Sequence, residues 1–193
     1  MCVTLAGCVS RADPPRYFRP PLPERAPAEK PLGRRLALAR VEAASHLDVR
    51  IVWRRSDVEL GFYDVERWTD PPASYLERAV SEELYARRGL RRVEGEGPEL
   101  QVKLLAFEEV LLPQHRARVE VWARLLDDRR EARLERAFAS ELPVAAEEAD
   151  AMARALGQAL DQVVVALADA VIAALPPEPP AEPPEAPPPG EQR

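Results

Sequence analysis

Cys2 and Cys8 are the only thiols in the 193-residue chain, and both lie at its start. A disulfide between them would close too small a loop to constrain a fold. A zinc site needs four ligands, and His46 and His115 lie far from the thiols without paired spacing. Cys8 has another chemistry open to it. It follows Leu5-Ala6-Gly7, the pattern of a bacterial lipobox, in which a leucine and two small residues precede the cysteine. Small side chains let the peptide enter the signal peptidase, and the thiol takes up a diacylglycerol before becoming the new N-terminus. Two or three acyl chains anchor stably, because each buried methylene contributes ~0.8 kcal/mol. A covalent lipid on Cys8 is therefore expected, with no other cofactor and no metal.

A secretory signal has a basic start and an apolar stretch of ~7–15 residues. Seven residues precede Cys8 and none is basic, so residues 1–8 read as a truncated signal ending in the lipobox. Val9-Ser10-Arg11-Ala12-Asp13-Pro14-Pro15 follows as a polar tether. Valine after the cysteine, in place of aspartate, favours the outer membrane by the usual bacterial sorting rule.

The rest of the chain offers little chemistry. The eight glycines are dispersed, so no phosphate-cradling loop forms, and no Gly-x-Ser-x-Gly elbow is present. Ser45, His46 and Asp48 could make a triad only if near-adjacent residues converged, which geometry disfavours. The carboxylate pairs Glu82-Glu83, Glu108-Glu109 and Glu147-Glu148 read as solvated neighbours. The net charge of −6, with basic residues scattered among acids, argues against nucleic acid. No apolar run reaches the ~18 residues of a membrane span. The expectation is a protein that is not an enzyme.

The elements that hold these residues lie between two proline-rich flanks. Of 21 prolines, seven fall between Pro14 and Pro31 and nine between Pro176 and Pro189. Residues 9–32 therefore read as a tether, 33–175 as the folded domain and 176–193 as a disordered tail. Alternation marks strands at 36–41, 49–53 and 58–63, then at 90–93, 100–104, 117–125 and 131–139, the last two joined by a turn at Asp127-Asp128-Arg129. Asp70-Pro71-Pro72 starts a helix, with Asp70 as cap and Pro71 at the first helical position. Leu76, Val80 and Leu84 form its apolar stripe and Gly89 stops it. A long amphipathic helix covers 145–175, with Met152, Leu156, Leu160, Val163, Leu167 and Val171 on one stripe. The order implies an α/β (α+β) domain, a single mixed sheet with both helices on one side.

One segment is distinctive: Phe62-Tyr63-Asp64-Val65-Glu66-Arg67-Trp68-Thr69-Asp70-Pro71-Pro72. It resembles the signature of the ABC-type transport auxiliary lipoproteins of the PqiC type. In these an aromatic pair and an aspartate lead to a basic residue, a tryptophan and a helix-opening proline. The resemblance extends from Cys8 to Leu175 and takes in Pro15-Arg16-Tyr17-Phe18. It implies a periplasm-facing outer-membrane lipoprotein working with an MCE-domain protein, a permease and an ATPase that move lipids or other hydrophobic compounds. It also implies a possible homo-oligomer. Tyr63, Asp64, Arg67, Trp68 and Pro71 are expected as fold signature or partner contact: aromatics buried at a strand-to-helix junction, with Asp64 or Arg67 satisfying local polar groups. The rival readings are a structural lipoprotein of another envelope assembly and a soluble cytoplasmic α/β protein.

Overall fold

Alternating apolar residues over Glu99–Val110 (β7) and Arg116–Leu126 (β8) make the two long strands around which the sheet is built. Ala117, Val119, Val121, Ala123 and Leu125 of β8 are buried on one face, while Arg118, Glu120 and Arg124 stand on the other. The computed structural model describes residues 13–176 except 28, 96 and 147. Cys8 and nearly all of the proline-rich tail lie outside these residues.

One edge of β7 carries β8 antiparallel, and β8 in turn carries Ala132–Pro143 (β9). The other edge of β7 is shared by three short parallel segments laid end to end. They are Arg35–Leu38 (β2), Glu42–Ala43 (β3) and Arg50–Arg54 (β4). Arg91–Arg92 (β6) lies beyond β2. Leu60–Trp68 (β5) pairs antiparallel with β4, and Arg16–Phe18 (β1) completes that side, parallel to β5. The sheet is mixed and has nine strands.

Two helices pack against the sheet and against one another. Pro72–Ser81 (α1) continues as a π-helical turn over Glu82–Arg87, and Gly89 ends it at φ +66°. Ala149–Ala174 (α2) lies over β8 and β9, burying the expected stripe from Met152 to Val171. Among the described residues α2 is the one helix long and apolar enough to cross a membrane, but more than half of its most apolar stretch is buried within the protein. Its apolar side is the domain's core.

The four expected strands after α1 are all present, as is the turn, where Arg129 and Glu131 donate backbone N–H groups to the Asp127 carboxylate. Three details differ. Asp70 does not cap α1: Pro71 is the N-cap, Pro72 the first helical residue, and the Asp70 carboxylate reaches Arg78 at 3.6 Å. The strand at 49–53, whose alternation with arginines predicts one exposed face, is interior, with both Ile51 and Val52 buried because β5 and β7 flank it. The chain expected to be a tether up to residue 32 joins the fold from Arg16 onward. Beyond β1, Pro21 lies on α2 at Gly157, the Pro23 carbonyl accepts from Arg87 at 2.6 Å, and Arg25 pairs with Asp161. Pro31 packs on Gly89, and the Gly33 N–H donates to the Gly89 carbonyl at 3.0 Å.

Candidate functional site

The distinctive segment lies along β5 and not only at the junction after it. Opposite β4, Phe62 pairs with Val52 and Arg67 with Arg50, so five steps on β5 face two on β4. The surplus is a bulge in β5 that breaks the regular ladder to β4 and frees backbone carbonyls for other donors. Arg67 answers them. Its guanidinium donates to the carbonyl oxygens of Tyr63 at 2.7 Å, Glu66 at 2.8 Å and Asp64 at 2.8 Å. A planar fork with five donors suits this task, and a lysine could not reproduce it. Asp64 contributes its backbone carbonyl, while its side chain is exposed.

Trp68 ends the strand inside the core, 1% exposed. Its ring meets Tyr75 edge-on at 6.2 Å and Phe107 at 5.3 Å, geometries that suit the ring quadrupoles. The Tyr75 hydroxyl accepts the Asp70 N–H at 3.0 Å and lies 2.9 Å from the Thr69 hydroxyl. Pro71 is exposed and Pro72 buried. Trp68 and Arg67 thus tie the end of β5 to the start of α1. Tyr63 does something different.

Tyr63 points toward α2 and donates its hydroxyl to Glu109 of β7, which also contacts the His115 ring. Burial first, and then the Glu109 carboxylate, push the Tyr63 hydroxyl well above its ordinary value. Between Tyr63, Glu109, Arg16, Glu66 and the start of α2 at Ala149 and Met152 lies a cavity of about 200 Å³. The trio of Glu109, Tyr63 and His115 comprises an acceptor, a phenol and an imidazole. Among the described residues no three His, Cys, Asp or Glu side chains are grouped to hold a metal.

The reading of the carboxylate pairs as solvated holds at Glu82 and Glu148, which are exposed, and fails at three other positions. Glu108 is fully buried, Glu83 and Glu109 3% exposed. A register shift between Leu104 and Ala106 turns Glu109 to the helix side and Glu108 to the other. There Glu108 receives Arg54 in two hydrogen bonds, at 2.7 and 3.1 Å, with Arg118 at 3.6 Å. Glu83 accepts from Arg88 at 2.8 Å and Arg87 at 3.1 Å, with Arg25 at 3.6 Å. Burial opposes its ionisation, but the hydrogen bonds from Arg88 and Arg87 outweigh this and hold it below the usual carboxylate value. Sequence pattern offers Glu109 only as half of a carboxylate pair and His115 only as an isolated histidine, and does not bring the two together. Two adjacent glutamates ahead of a Pro-containing turn were the available signal, hidden by the bulge.

The class is a mixed nine-stranded sheet with two helices packed on it, its inner carboxylates engaged by arginines and a tyrosine. The family model for the ABC-type transport auxiliary lipoprotein component matches residues 18–168, and the chain belongs to that family. Solved structures share the fold. Protein XCC0632 from Xanthomonas campestris superposes with a TM-score of 0.74 at 23% identity, covering 82% of this chain and 96% of that one. A crystal structure of an uncharacterized protein gives 0.66 at 18% identity, covering 82% and 99%. Hypothetical protein CT253 from Chlamydia trachomatis gives 0.53 at 9% identity, covering 73% and 99%. No curated protein matches the sequence.

Proposed function

We propose that this protein is a non-catalytic accessory subunit of an MCE-type ABC transport system, anchored through lipid on Cys8 in the outer membrane and facing the periplasm. Its partners would be an MCE-domain protein with its permease and ATPase, and its task to help move lipids or other hydrophobic compounds across the envelope. The family match over residues 18–168 carries the reading. Two features support it. The Leu5-Ala6-Gly7-Cys8 sequence lies just ahead of the domain, and the buried ionisable groups are engaged in holding strands and helices together.

Anchoring is tested on the full chain expressed with its upstream codons in a Gram-negative host. The expected result is a mature mass carrying diacylglycerol on Cys8, found in the dense outer-membrane band of a density gradient. An unmodified chain in the cytosol would remove the reading.

A further inference from the structure

Three connections lie at one end of the sheet. Arg54 pairs with Leu60 across the β4–β5 hairpin and with Val110 of β7, and Val110 pairs with Arg116 across the β7–β8 hairpin. The turns at 55–59 and 111–115 are therefore side by side, joined by the Leu111 N–H donating to the Arg54 carbonyl at 2.8 Å. Pro143, paired with Arg116, brings the start of α2 to the same end.

Apolar side chains are exposed on these two tips. Val58 is 97% exposed, Leu112 55% and Leu60 40%. Among the described residues they are three of the five large hydrophobics left open to solvent. Hairpin tips are normally polar, and here arginines lie close behind: Arg55 above the Trp53 ring, and Arg116 at the base of the second hairpin. Apolar tips backed by arginines and an indole suit a lipid interface, where amphipathic side chains keep charge in the headgroups.

The chain's own path selects that occupant. β1 runs parallel to β5 with Arg16 beside Glu66, so the polypeptide enters β1 from the side of Leu60 and the tips. Seven residues separate Cys8 from Arg16, and eight steps of chain reach at most about 28 Å. From the level of Arg16 to that of Leu60 is about 20 Å or less of β5. A tether of that length can therefore reach the level of the tips and little further. It gains no length from downstream, because residues 16–33 are pinned at Pro21, Pro23, Arg25, Pro31 and Gly33.

We infer that the hairpin tips bearing Val58, Leu60 and Leu112 rest in the headgroup layer of the membrane that holds the Cys8 lipid. The domain then stands upright, with the turn at Asp127 and the C-terminus of α2 directed away. This inference rests on the Cys8 anchor.

The test uses the full-length, acylated protein in phosphatidylethanolamine/phosphatidylglycerol vesicles. Its Cys8 sulfur is blocked by lipid and Cys2 is removed with the signal, so a cysteine placed at Val58→Cys, Leu112→Cys or Asp128→Cys is the single free thiol. An environment-sensitive dye at 58 and 112 should shift to the blue and be quenched by lipid-borne quenchers, while the dye at 128 stays as in water. Tips that remain aqueous on an acylated, vesicle-bound protein would overturn the inference and leave the anchor standing. Protection that arises only with a partner protein would overturn it too, assigning the tips to that partner. A mass without diacylglycerol would remove the anchor and the inference together.

Discussion

Gly157, in the middle of α2, lies directly beneath the Pro21 carbonyl: a Cβ built on it would be 2.2 Å from that oxygen. The helix thereby accepts the N-terminal strap against its surface, at the one glycine it contains. In an exposed helix, alanine would gain about 1 kcal/mol over glycine. Here the contact is backbone, so the strap or the helix must shift. Gly157→Ala is expected to cost about 1–3 kcal/mol, the usual range for overpacking. Denaturant unfolding measures it, and a gain in stability would mean that the strap is not seated there.

Arg67 is the second test. Replacing it with alanine leaves the Tyr63, Asp64 and Glu66 carbonyls of the β5 bulge without their donor. A loss of about 2–3 kcal/mol is expected, with Arg67→Lys recovering only part of it, because a compact ammonium cannot reproduce the guanidinium's fork of donors. Full recovery by lysine would show that charge alone matters at this position.

Breaking the buried Arg54–Glu108 pair should be at least as costly as either of these. Glu108→Ala strands Arg54, whose fork closes on that carboxylate at 2.7 and 3.1 Å. A cost of about 2–4 kcal/mol follows from leaving one partner of a largely buried pair, read again from unfolding curves.

The pH dependence of stability has a definite sign at both extremes. The Glu83 carboxyl is held low in the folded state, so the unfolded chain binds its proton first as pH falls. Stability from this group is full above the ordinary glutamate value of about 4.3 and is lost as pH drops through the folded value. Tyr63 is held high, so above pH about 10 the unfolded chain releases its proton first and stability falls. Glu83→Gln should flatten the acid limb and Tyr63→Phe the alkaline one, measured by denaturation across pH.

Much of this architecture was legible in the chain because periodicity survives wherever one face of an element is buried. β8 alternates over its whole length, and α2 repeats its stripe from Met152 to Val171. What escaped lies where alternation breaks or the partner is distant. β1 is three residues between prolines, with a role set by β5 some fifty positions away. Glu109 faces inward only because of the register shift after Leu104. Tyr63 to Trp68 stood out by residue type, but their work divides in three: Arg67 on the bulge, Trp68 in the aromatic core, Tyr63 on Glu109. Asp70 had the chemistry of a cap, and two following prolines moved the helix start past it.

The most direct measurement is a detergent pull-down of the full-length, acylated protein from its native membranes. Co-purification of an MCE-domain protein together with a permease and an ATPase is expected. Recovery of a lipoprotein free of all three, under conditions that keep membrane complexes intact, would contradict the transporter role and favour a structural lipoprotein of another envelope assembly.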